Sequence, residues 1–134
     1  MGADRLQIAA TDPARARAFL RGWLREAAEE RLAPRLRALA EELGLDVTRV
    51  AIRCQRTRWG SCSARGTVSL NACLLFQREP VVRYLFVHEL AHTREMNHSR
   101  RFWRLVESFE PNYRPLDREL LAGWRAVPGW VFES

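Results

Sequence analysis

Residues 88–98 read His-Glu-Leu-Ala-His-Thr-Arg-Glu-Met-Asn-His, and they hold all three histidines of the 134-residue chain. Imidazole is the commonest protein ligand for zinc. His88 and His92 are four residues apart, so on a helix they stack on one face with Cβ atoms ~6 Å apart. Two rings so placed can converge on one ion at Zn–N distances of roughly 2.0–2.1 Å. Glu89 follows the first histidine and precedes the second by three. It therefore sits beside the ion without being a ligand, where a general base for a zinc-bound water belongs. The pattern nominates a zinc hydrolase, and a peptidase first among hydrolases.

His98 comes six residues after His92, across an expected helix end, and no histidine is used elsewhere. Ordinary core or surface histidines are the bland alternative. A closed structural zinc site is another, but it needs four protein ligands. Cys54, Cys62 or Cys73 would have to supply the fourth by folding, and Glu89 would then have no purpose. An open site is favoured, with His88, His92, His98 and a water. The spacing matches the metzincins, yet Glu95 stands where their glycine falls. The only methionines are Met1 and Met96, so no downstream Met-turn exists, and the metzincin assignment is refused.

A helix must carry this motif. Pro80 opens it, with Val81, Leu85, His88 and His92 on one stripe and Val82, Phe86 and Leu90 nearby, apolar enough to be central. Asn97 is the expected stop, turning His98 back toward the metal. Ser99 caps a following helix with Phe102, Leu105, Val106 and Phe109 apolar, ended by Glu110-Pro111. A last helix is expected from about Pro115 to Gly123, then a turn at Pro128-Gly129. Upstream, Thr11-Asp12-Pro13 starts a helix with Asp12 as N-cap. Phe19, Leu20, Trp23, Leu24 and Ala27 form its stripe, Pro34 kinks or divides it, and Leu36, Leu39, Ala40 and Leu43 continue to Gly44. Between the helical regions, Val50, Ile52 and Cys54 alternate as one strand, and Val68 and Leu70 as another. Arg58 to Gly66 reads as a loop.

The bulk properties narrow the class. The length suggests one domain over residues 1–134, and 47% apolar content suits a globular chain. No apolar run approaches the roughly 18 residues of a membrane span. Met1 to Ala10 lacks the apolar core of a secretory signal. Leu6 stands where myristoylation of Gly2 would want Ser or Thr. Three widely spaced cysteines without a C-x-x-C pair favour free thiols in the cytoplasm. The net charge is +6, and all 22 basic residues are arginine. Many lie among glutamates, so nucleic-acid binding ranks below a solvated surface.

The set Arg58-Trp59-Gly60-Ser61-Cys62-Ser63, Leu70-Asn71, His88-Glu89-Leu90-Ala91-His92, Asn97-His98-Ser99 and Phe102-Trp103 resembles the YgjP-like bacterial zinc metallopeptidases. These are a minimal zincin group similar to SprT-like proteins. The matching motifs span about Arg53 to Pro111, and Pro111-Asn112-Tyr113 resembles the family's Pro-Asp-Tyr with Asn112 replacing the acid. The family's additional N-terminal region has no counterpart, which leaves a compact form and a fragment as alternatives. The resemblance implies an α+β, zincin-like minimal metalloprotease fold. It has N-terminal helices, a small antiparallel sheet, a central zinc-binding helix and C-terminal helices. It also implies Zn2+ at His88, His92 and His98, catalytic Glu89, and the Arg58–Ser63 segment close to the site. Trp59 and Cys62 then read as packing and Gly60 as a turn. Ser61 and Asn71 read as hydrogen-bonding groups near the ligands or substrate.

The expected function is hydrolysis of a peptide or protein substrate by Glu-assisted attack of zinc-bound water. Tyr84, Tyr113 and Arg58 are candidates for the donor to the developing oxyanion. Strand Thr67–Asn71 is a candidate for pairing with an extended peptide. The competitors are a SprT-like DNA-associated protease, a non-catalytic zinc-binding interaction module and a hydrolase of non-peptide amides.

Overall fold

A computed structural model describes residues 12–132. The readings on Met1–Ala10, the Gly2 comparison and Thr11 of the first helix start lie outside these residues. Helix α1, Pro13–Arg31, begins where Asp12 Oδ1 accepts the Ala14 and Arg15 N–H groups at 3.0 and 3.4 Å. The chain breaks step at Leu32 and resumes as α2, Ala33–Leu43, with Pro34 in its first turn and Gly44 closing it in the left-handed conformation. Pro34 thus divides the segment, because a proline can sit in a first turn where its missing N–H is not needed. The inward face of α1 is set by Leu24 and Ala28. Trp23, expected in the stripe, is 52% exposed. It lies one residue, hence about 100°, off that face.

Three strands follow: β1, Arg49–Arg53; β2, Gly60–Cys62; and β3, Thr67–Asn71. Their order is β1-β3-β2. β3 runs antiparallel to β2, with Ser61 opposite Ser69, and parallel to β1, with Ala51 opposite Ser69. The sheet is therefore mixed, which corrects the expected antiparallel sheet. The cause is the chain between the two strands legible in the sequence. It holds a third strand that reverses direction, so β3 returns with the polarity of β1 and enters between its predecessors. The reversal is a tight hairpin in which Gly66, at φ 85°, donates its N–H to Ser63 O at 3.0 Å. A Cβ on Gly66 would meet Thr48 Oγ1 at 2.7 Å, so this corner excludes a side chain.

A 3₁₀ turn over Ala72–Phe76 leads to α3, Glu79–Ala91. Nine of the 13 residues of α3 are buried, including Tyr84, Phe86 and Leu90. It is the central helix of an α+β fold. Helices α4, Arg100–Phe109, and α5, Tyr113–Ala122, pack against it through Phe102, Val106, Tyr113, Leu116 and Leu120. Ser99 Oγ accepts the Phe102 N–H at 3.3 Å and caps α4 as expected. α5 begins at Tyr113, two residues before the expected Pro115. Two 3₁₀ turns, Gly123–Ala126 and Gly129–Val131, complete the described chain. Among the described residues no helix is long and apolar enough to cross a membrane.

One polar side chain ties the sheet to the segment before β2. Asn71 is 2% exposed. Its Nδ2 donates to the carbonyls of Gln55 and Arg58, both at 2.7 Å, and its Oδ1 accepts the Cys73 N–H at 3.0 Å. Asn71 is thus a backbone clamp that holds Arg58–Ser63 in place, rather than a group facing substrate. Asn71→Ala leaves these backbone partners unsatisfied and is expected to cost about 2–4 kcal/mol. Urea unfolding should show a lowered midpoint at unchanged slope.

Candidate metal centre

His88 lies in the last turn of α3, and His92 is the residue that caps it. The helix ends here rather than at Asn97. The His92, Thr93 and Arg94 N–H groups bond back to Glu89, Leu90 and Ala91 carbonyls at 3.0–3.2 Å, tightening the end. Thr93 Oγ1 donates to Leu90 O at 2.7 Å. Arg94 Nη2 donates to Gly44 O at 3.0 Å and anchors the loop to the end of α2. Asn97 lies in the return loop, and the cap at Ser99 restarts the helix immediately after His98.

This path brings the three histidines together, with one ligand atom from each lying within 4.8 Å of the others. Among the described residues no cysteine or carboxylate joins that group. His98 Nε2 and His88 Nε2 are 3.3 Å apart. Two nitrogens bound tetrahedrally at roughly 2.05 Å would be about 3.3 Å apart, so the pair fits a zinc-sized ion. Phe102 lies under all three rings, stacked on His92 at 4.3 Å and edge-on to His88 and His98 at 5.0 and 4.9 Å.

Hydrogen bonds orient the rings. Tyr84 donates its hydroxyl hydrogen to Asp117 Oδ1 at 2.8 Å, and the same oxygen lies 3.2 Å from His88 Nδ1. With its hydrogen engaged by Asp117, Tyr84 accepts from His88, which places the His88 proton on Nδ1 and a lone pair on Nε2. His92 Nδ1 donates to the Glu95 carbonyl at 2.9 Å, which leaves its Nε2 free as well. Such outer partners hold a ligand's tautomer and angle. Burial, reinforced by the neighbouring imidazoles, pushes His88 down to about 3. Burial also lowers His92, against the opposing pull of the Glu95 carbonyl. Both rings are neutral near pH 7, the form that binds metal.

Glu89 is 5% exposed, and burial pushes it up to about 8, with the Arg58 guanidinium pulling the other way. Burial alone thus favours the protonated acid near pH 7, and a cation held by the neighbouring histidines would favour the carboxylate form that a proton acceptor needs. Gly60 accounts for how closely β2 approaches it. A Cβ there would stand 3.1 Å from Glu89 Cγ, Leu85 Cδ1 and Ser69 O. Gly60 thus serves close strand–helix packing, not the turn expected of it. Ser61 and Cys62 follow it along the wall of a cavity of about 320 Å3 that also contains the three histidines, Glu89, Arg58 and Met96. Burial, with Glu89 nearby, raises the Cys62 thiol to about 11. Trp59 is outside this lining, stacked on Trp124 at 4.0 Å. A larger cavity, about 530 Å3, lies elsewhere along α2 and α3. It is bridged by the Arg35–Glu79 and Arg83–Glu110 ion pairs at 3.1 and 2.8 Å and has no histidine or cysteine in its lining.

Two expectations change. Tyr84 is fully buried and its hydroxyl is engaged, so it is not an oxyanion donor. Tyr113 is buried and stacked on Trp103 at 5.4 Å, outside the lining of this cavity. Arg58 alone of the three lines it. Strand β3 has a partner on each side and cannot accept a peptide, whereas β2 is the edge strand on the metal side. Asp117 is the group that sequence reasoning missed. Its signal is an acid at the inward positions Tyr113, Leu116, Asp117 and Leu120, where spacing calls for an apolar residue.

A family model described as YgjP-like, metallopeptidase domain, matches residues 3–122. A curated relative, the UTP pyrophosphatase of Escherichia coli (strain K12), is 32% identical over 62 residues, covering 46% of this chain. The aligned part is only 37% of that relative's length. The crystal structure of the metallopeptidase zymogen of Pyrococcus abyssi abylysin superposes with a TM-score of 0.58 at 28% identity. The superposition covers 65% of this chain and 89% of that one, which places the fold among zincin-like metallopeptidases.

The Asp117–Tyr84–His88 chain carries a direct consequence. Tyr84→Phe removes the acceptor for His88 Nδ1–H and is expected to weaken divalent-metal affinity roughly 10–100-fold. Competition against a chromophoric chelator measures this, and an unchanged circular dichroism spectrum separates it from unfolding.

Proposed function

We propose that this chain, which belongs to the YgjP-like metallopeptidase domain family, is a zinc-dependent peptidase whose ligands are His88, His92 and His98 and whose general base is Glu89. The observation that carries the reading is the convergence of three imidazoles beside a buried carboxylate in a cavity that opens on an edge strand. Bound zinc supplies Lewis acidity, lowering the pKa of a water to roughly 7 and polarising the scissile carbonyl. Glu89 takes the proton of the attacking water and returns it to the leaving amine. Arg58, the candidate donor that lines the cavity, stabilises the developing oxyanion. The free edge of β2 pairs with the substrate backbone and lays it across Glu89. Free thiols at Cys54, Cys62 and Cys73 fit a cytoplasmic location.

A second reading is hydrolysis of a nucleotide phosphoanhydride, favoured by the name of the curated relative. The same water-activating set can serve attack at phosphorus. The two separate cleanly: zinc-loaded protein is given unfolded casein, followed by mass spectrometry, and UTP, followed by pyrophosphate release. A purely structural zinc module is disfavoured by the lack of a fourth protein ligand in the described cluster.

Glu89→Gln is expected to retain zinc and to lose roughly 10²–10⁴-fold in turnover. Unchanged turnover would remove Glu89 from the chemistry. His98→Ala should lower zinc stoichiometry by elemental analysis, and full retention would take His98 out of the ligand set. Arg58→Met should reduce kcat roughly 10²-fold with zinc content intact.

A further inference from the structure

His98 lines two cavities, the one holding the metal cluster and a second of about 370 Å3 beside it. Arg100, Arg104 and Arg114 line the second, with Glu107 the single carboxylate among its residues. Resting on the peptidase reading, we propose that this second cavity is a substrate subsite that takes an acidic side chain near the scissile bond of the polypeptide.

Charge is the first support. Among the described residues, Arg15, Arg35, Arg78 and Arg83 each pair with a carboxylate. None of the three arginines of this cavity does, so their guanidinium donors are available. Guanidinium groups bind carboxylates in a planar, two-pronged geometry. The second support is a rigid floor. Trp103 stacks with His98, at 6.0 Å and 30°, and with Tyr113, at 5.4 Å and 21°. The Arg114 guanidinium sits 5.2 Å over the Tyr113 ring. A stack anchored at the metal ligand and at buried Tyr113 fixes how far the basic groups stand from the reacting carbonyl. The third support bears on the occupant. Trp103 is already stacked with two rings, His98 and Tyr113, so it is not an unpartnered platform for a nucleobase. A nucleotide or single-stranded nucleic acid site relies on such a platform. The edge of β2 across the metal cavity instead suits an extended polypeptide.

The test uses internally quenched peptides, identical except for Glu or Gln stepped through positions flanking the cleaved bond. Zinc-loaded protein should favour Glu at one position by about tenfold in kcat/KM, a preference that shrinks as salt screens the exposed arginines. In Arg104→Gln/Arg114→Gln the Glu-to-Gln ratio should fall to about one, and Arg104→Glu should shift preference toward Lys at that position. Arg37→Gln, on exposed α2 surface, should keep the original ratio. Cleavage without acid preference, or a preference untouched by the double substitution, overturns the subsite and leaves the peptidase reading standing. Titration calorimetry of the zinc-loaded Glu89→Gln protein with the same peptides separates the other failure. Arginine-dependent binding of the Glu peptide without turnover by the parent protein keeps the subsite and removes the peptidase reading. Arginine-dependent displacement of that peptide by UTP, but not by succinate, assigns the cavity to a nucleotide and overturns the polypeptide occupant.

Discussion

The constraint on which the molecule turns is the burial of α3. A helix enclosed along most of its length cannot place ionised groups along its sides without large desolvation cost. Glu79 and Arg83 stay on its open side and pair there with Arg35 and Glu110, while the buried ionisable groups are gathered in the last turn, where Glu89 and His92 are buried and His88 is partly so. Every other choice nearby follows from making that turn tolerable. Tyr84 and Asp117 satisfy one imidazole, the Glu95 carbonyl satisfies another, and the arrangement keeps the rings neutral. Glu89, with no direct hydrogen-bond partner of this kind, is the group whose proton affinity burial raises most usefully.

The packing around α3 divides its labour by side. Helices α4 and α5 supply the ring partners and the orienting carboxylate. The β2 edge supplies a wall without side-chain bulk at Gly60. Asn71 then fixes that wall from behind by holding the carbonyls of Gln55 and Arg58. The site is thus assembled from helix, sheet and loop, but each contribution has a separate hydrogen-bonded anchor.

Much of this was legible in the sequence, for identifiable reasons. The caps at Asp12, Gly44 and Ser99 are local chemistry, readable one residue at a time. The helix carrying His88 and His92 declares itself by apolar spacing. Strand β2 did not, because Gly60-Ser61-Cys62 lacks both β-branched residues and alternation. It forms through pairing with β3 rather than by propensity. Missing it also hid the polarity of the sheet, since one unseen strand inverts the direction of the next. The Tyr84–Asp117 pair was illegible as a pair. It joins positions 33 residues apart, and no local pattern encodes which buried phenol an inward acid will meet.

The short return loop has one more consequence. His88 and His92 stand before it and His98 after it, so an ion shared among them would act as a cross-link between the end of α3 and the start of α4. Binding that requires the native turn stabilises the native state by RT ln(1 + [L]/Kd), with [L] the free metal concentration. Thermal resistance of this domain would thus be a reporter of the metal pool around it. Scarcity of the ion would loosen the fold at the same place where it silences the chemistry.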